Sequence, residues 1–217
     1  MPIVDCNCTT TNLTKIESTR CGENMGQIQL LAFEKLSDKQ ASLSTLANIA
    51  VKTNWTAAMN NGATIGKIQI TPEVKGWDQS GGDPVLWGED VKANSMPEKV
   101  RDNPVQITVS FRGAKAAVAS AINDLRCLAT NGDLGVYLFP TDSYVIGVDN
   151  TTTLDSFPVG YSNMAPRVIG AKDEPDTDSF TFYIDANDWR KMKKVALDHT
   201  AGSTAGAWRG IDLLAVS

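Results

Sequence analysis

The sequence predicts an α+β fold, with a β-sandwich or barrel-like core of antiparallel strands, a packed central helix at about 114–130 and a second helix near 38–59. Three observations predict it. Within residues 105–139 the hydrophobic period changes from two to about 3.6 and back to two, so one helix is clamped between two strands. Most of the remaining apolar residues fall in short runs bounded by Gly, Pro, Asn or Asp, which is strand and turn punctuation. At 217 residues the chain can bury roughly 70% of the surface its unfolded form exposes, enough for one domain without staples.

Taken in order, residues 1–24 are polar, rich in Thr and Asn, and without a period, which predicts an extended N-terminal arm. A single β-rich domain is expected over 25–197. Gly26 to Phe33 reads as its first strand. Leu43, Leu46, Ala47, Ala50 and Val51 fall on one helical stripe, and Asn60-Asn61-Gly62 closes that helix. Ile65, Ile68, Ile70 and Val74 belong to a further strand that Pro72 ends or bends.

Residues 75–104 carry no period and hold Gly76, Gly81, Gly82, Pro84, Gly88, Pro97 and Pro104, so they read as a long loop. That loop also holds Trp77, Trp87 and Met96, which are too apolar to leave in water. They are the candidate subunit-interface residues, with docking on the chain's own domain as the alternative.

Val105, Ile107, Val109 and Phe111 share one face of a strand. Val118, Ala121, Ile122, Leu125 and Leu128 share one stripe of the central helix, and Leu134 to Phe139 return to an extended apolar run. Tyr144 to Val148, Leu154 to Val159 and Val168-Ile169 read as a meander. In Ser179 to Ile184, Phe180, Phe182 and Ile184 share the face expected to meet the core. Arg190, Lys191, Lys193 and Lys194 follow the acidic start Asp185 to Asp188 and read as cations near the end of a helix. Residues 198–217 are expected to form a C-terminal arm.

Charge and chemistry narrow the function classes. A net charge of −5 and a pI near 4.9 oppose a phosphate-neutralising surface. No apolar run is long enough to span a bilayer, and Met1 to Asp5 lack the features of a secretory signal, so a soluble protein assembled in the cytoplasm is expected. In that setting the match of Asn7-Cys8-Thr9, Asn12-Leu13-Thr14, Asn54-Trp55-Thr56 and Asn150-Thr151-Thr152 to the glycosylation sequon has no consequence.

Four cysteines are present, Cys6, Cys8, Cys21 and Cys127. A zinc site from the first three with His199 or Cys127 is conceivable, but Cys-x-Cys is a poor chelate spacing, so free thiols are expected. Cys127 falls near the apolar stripe and reads as a small buried hydrophobe. His199 is the one histidine and lies in a polar, Gly-flanked segment, which reads as a solvated loop rather than a catalytic base. The acidic run Asp173 to Asp178 reads as a polar turn, with calcium ligation as the alternative. No nucleophile elbow, Walker loop or dinucleotide fingerprint occurs. No enzyme activity, catalytic residue, cofactor or metal is therefore expected.

The strand before Arg112-Gly113, the helix after it, the Leu134–Phe139 strand (LGVYLF) and the Ser179–Ile184 strand (SFTFYI) together resemble virion structural proteins of tailed bacteriophages, especially phages infecting Bacteroidetes. Lys67 to Glu73, followed by Gly81-Gly82-Asp83 and Gly88, adds to the likeness, which covers about residues 45–190. The members it most resembles are tail-tube proteins. That resemblance implies a subunit of stacked hexameric rings in a virion, whose partners are copies of itself and neighbouring rings or other virion proteins. DNA would pass through without specific binding, and no membrane is involved. A neck, tail-completion or capsid-associated ring is the alternative within this class. A carbohydrate- or receptor-binding β-sandwich, with Trp77 or Trp87 stacking on sugar rings, is the alternative from another.

Overall fold

The computed structural model describes residues 27–39, 43–60, 68–87, 98–112, 125–164, 177–197 and 207–214. The fold is α+β and dominated by antiparallel strands. In chain order the elements are β1 (Ile28–Lys35), α1 (Leu46–Ile49), α2 (Lys52–Asn60), β2 (Gln69–Ile70), β3 (Gly76–Gly81), β4 (Pro84–Trp87), β5 (Glu98–Asp102) and β6 (Val105–Arg112). A helix over 125–130, α3, follows. Then come β7 (Leu134–Pro140), β8 (Tyr144–Asn150), β9 (Thr153–Asp155), β10 (Phe157–Met164), β11 (Thr177–Ile184), α4 (Ala186–Arg190) and β12 (Met192–Ala196).

The strands run in the order β12-β8-β7-β10-β11-β6-β3, with β1 paired to β7 and β2, and β9 paired to β8. Strand β7 organises this arrangement. One of its edges pairs with β1 along its whole length. Its other edge is divided, with Gly135 and Val136 paired to β10 and Leu138 paired to β8. Strand β10 leaves β7 after Pro158 and pairs with β11 from Val159 onward, with a register shift between Val159 and Tyr161. The sheet thus folds over on itself and encloses a core.

Strict alternation places the residues of that core. Val105, Ile107, Val109 and Phe111 of β6 point inward, as do Phe180, Phe182 and Ile184 of β11. From the opposite half come Leu31 and Phe33 of β1 and Leu134, Val136 and Leu138 of β7. The Phe33 ring meets Phe180 at 5.8 Å and Phe182 at 6.3 Å, both edge-on, although β1 and β11 are not sheet neighbours. Ala129 of α3 is buried against this core, with Leu125 and Leu128 beside it.

β1 and β7 bury their reverse faces too. Leu30, Ala32, Tyr137 and Phe139 meet Ile49, Trp55, Ala58, Trp208 and Leu213 in a second cluster. Burial on both faces is why β7 reads as a continuous apolar run without alternation. Gly135 interrupts it because a Cβ there would lie 2.1 Å from Ser156 Oγ.

The expected helix near 38–59 is broken. Leu36–Asp38 form a 3-10 turn, and α1 and α2 are separate helices. Side chains take the carbonyls that a continuous helix would use. Asn54 Nδ2 donates to the Asn48 carbonyl at 2.9 Å, Trp55 Nε1 to Ile49 at 2.7 Å and Trp208 Nε1 to Ala50 at 2.8 Å. The break is therefore satisfied rather than strained.

The strand near Ile68 shrinks to two residues. The expected central helix is described over 125–130 only, and Cys127 on it is exposed rather than buried, on the face turned from the core. The basic group divides, with Arg190 ending α4 and Lys193 and Lys194 standing on β12. The C-terminal segment is not a free arm throughout, since Trp208 and Leu213 are buried in the second cluster.

Candidate assembly surface

The expected loop 75–104 is largely strand. β3 pairs with β6 from Gly76↔Ser110 to Gly81↔Val105, and β4 pairs with β5 from Pro84↔Asp102 to Trp87↔Glu98. The two pairings follow one another, so β3–β4 and β5–β6 form a single long ribbon bent in the middle. Gly81 and Gly82 make the bend, each at φ +82°, a conformation most side chains resist. A Cβ on Gly81 would also lie 2.3 Å from the Pro104 carbonyl oxygen. Asn103 N–H donates to the Asp83 carbonyl at 2.9 Å and closes the bend from the other side. The ribbon hid from the sequence because its outer half faces no core, which removes the alternation that marks a strand.

That outer half is a separate two-stranded sheet. Two-stranded ribbons are marginal alone in water. This one nevertheless exposes Leu86 at 43% and Val100 at 63%, two of the three large apolar residues left exposed among the described residues. Val100 is pushed out because the register shifts between Val85 and Leu86, which leaves it with no opposite residue.

A charge cluster ties the ribbon to the body. Asp102, its side chain only 7% exposed, accepts from Arg190 of α4 and from Lys99 at 2.8 Å. The Arg190 bond, then the Lys99 bond, hold the Asp102 carboxyl well below the ordinary aspartate range. Beside this clasp lies an open depression of about 490 Å³ lined by Pro104, Gly160, Tyr183, Ile184 and Asp185.

Of the candidate interface residues, Trp77 is half-buried against the main core. Trp87 stands on β4, with its side chain outside the described residues, where Met96 also lies. Leu86, Val100 and the Asp102–Arg190 pair went unnoticed. A β-branched residue between Lys99 and Arg101 was the one sequence signal for Val100, and the long separation of Asp102 from Arg190 left none for the clasp.

A second polar group is enclosed. Glu34 of β1 is 3% exposed and accepts from Ser156 Oγ at 2.6 Å. Burial raises its carboxyl above the ordinary value, against the opposing bonds of Ser156 and Tyr137. Lys39 and Asp155 pair at 3.1 Å beside it. The Tyr137 hydroxyl is also raised well above the ordinary tyrosine range, first by burial. The Ser156–Glu34 bond ties β1 to the link between β9 and β10.

His199, Cys6, Cys8, Cys21 and Asp173 to Asp176 lie outside the described residues. Asp178 stands within β11 and is buried, not in a solvated turn. Among the described residues no three His, Cys, Asp or Glu side chains gather as metal ligands, and no helix is long and apolar enough to cross a membrane.

No protein-family model and no curated protein matches this sequence. Among solved structures, a chain from the virion of a native gene transfer agent particle matches 54% of this chain and 83% of its own length, at a TM-score of 0.31 and 10% identity. At that score the likeness carries no argument about role.

Proposed function

We propose that this chain is a structural subunit of a tailed-phage-like particle and acts by fitting against copies of itself. The bent ribbon carries the reading. A two-stranded extension that exposes Leu86 and Val100 while clasped by Asp102 and Arg190 is costly for an isolated molecule and useful for one that docks. Membership of a hexameric tail-tube ring, rather than a neck or capsid-associated ring, is the finer part of the proposal and comes from the sequence resemblance over residues 45–190. A net charge of −5 suits a conduit that must release duplex DNA, because a net-negative surface repels phosphates. The proposal assigns the chain no catalytic step and no cofactor. Trp77, half-buried against the core, favours docking within its own domain over an open platform for sugar rings.

Negative-stain microscopy and sedimentation of the purified chain test this reading. Annular particles are expected at high concentration. They should disappear when residues 84–102 are replaced by a short Gly-Ser link, which Asp83 and Asn103 are placed to accept. A chain that remains monomeric at every concentration overturns the proposal.

A further inference from the structure

Two features near the clasp are complementary in charge and shape. Arg101 of β5 is exposed and has no ion partner among the described residues. It adjoins Val100, so the outer ribbon presents a cation next to an apolar knob. The body presents the converse. Tyr183, Gly160 and Pro104 give the depression an apolar floor over the buried Ile184. Asp185, which accepts from Asn187 N–H as the cap of α4, lies at its rim, and Asp188 follows on the first turn of α4. Burial, then the charge of Asp185, raises the Asp188 carboxyl, with only Lys191 opposing. A cation arriving from outside would relieve that repulsion.

The two features cannot satisfy each other within one molecule. Asp102 faces α4, as its bond to Arg190 shows, and successive side chains of a strand point to opposite faces. Arg101 is therefore turned away from its own α4. We infer that the β5 edge of one copy seats on the depression of a second copy, with Val100 on the Pro104, Gly160 and Tyr183 floor and Arg101 facing Asp185 and Asp188. The contact joins different surfaces of the same chain, so it is head-to-tail and generates a ring or a filament. This inference rests on the self-assembly reading above and names its contact.

The test is sedimentation velocity on full-length chains across a concentration series, with thermal melts to confirm that each variant folds. Arg101→Glu and Asp188→Lys should each raise the concentration for half-assembly by about tenfold or more, because like charges then meet. Combining them should restore assembly to near the wild-type value. Val100→Asp, at a position already open to solvent in the monomer, should weaken assembly without lowering the melting temperature. If the wild type assembles but the single changes have no effect, or the pair restores nothing, this contact is overturned while self-assembly stands. If the wild type never assembles, the broader reading fails with it.

Discussion

The helical layer over β1 and β7 and the outer half of the ribbon solve opposite problems. Both interrupt regular structure, the first between α1 and α2 and the second at Gly81-Gly82. In the helical layer three carbonyls at the break receive side-chain N–H donors, two of them from fully buried tryptophans, and Trp55 also meets Tyr137 at 5.3 Å and Phe139 at 5.0 Å. In the ribbon the bend is closed by one backbone bond and one charge cluster, and apolar side chains remain in solvent. Irregularity that is fully partnered serves stability. Irregularity that leaves surface unspent serves contact with another molecule.

The largest expected effect lies in the helical layer. Trp55→Ala should lower unfolding free energy by about 3–5 kcal/mol, through a cavity against Tyr137 and Phe139 and an orphaned Ile49 carbonyl. Urea denaturation measures it, and a cost under ~1 kcal/mol would show that the helical layer is not tightly packed. Trp208→Phe keeps most of the ring but leaves the Ala50 carbonyl without its donor, at a cost of about 1–3 kcal/mol. Its denaturation midpoint should fall between those of the wild type and Trp55→Ala.

Glu34 sharpens the comparison through pH. Its folded carboxyl is raised above the ordinary 4.5, so the stabilising state is the protonated one. Stability from this group is complete below the ordinary value and is lost as pH rises through the folded value. Glu34→Gln should abolish that loss and melt higher than the wild type at neutral pH. Equal melting profiles of the two proteins from pH 4 to 8 would show that the raised carboxyl has no thermodynamic consequence.

The smallest global effect is expected at the clasp. Arg190→Ala loosens a two-stranded extension separate from the main sheet, so the overall denaturation midpoint should barely move. Amide hydrogen exchange should nevertheless quicken in β4 and β5 while β6 and β11 remain protected. Uniform exchange across all four strands would mean that the outer ribbon is not a separate opening unit.

These differences also explain what could be read in the chain beforehand. β6 and β11 were legible because one face of each meets a core, and Val105 to Phe111 and Phe180 to Ile184 alternate accordingly. β7 was legible as an apolar run, although only the structure explains why both faces are buried. The split between α1 and α2 was hidden in part because one of the donors that satisfy it is Trp208, whose ring crosses 158 positions of sequence to reach Ala50. The outer ribbon was hidden for the reverse reason. Without a core to face, Pro84 to Trp87 and Glu98 to Asp102 follow no period, and their glycine-rich approach resembles a coil.

Strand β7 has a consequence for how such a molecule can diverge. Both its edges are paired and both its faces are covered, so a changed side chain there is answerable to each layer at once. The ribbon beyond Gly82 has no such double accountability. Descendants of this chain could therefore exchange one neighbour for another by rewriting the ribbon alone, while the middle of the sheet stays nearly fixed over the same span of time.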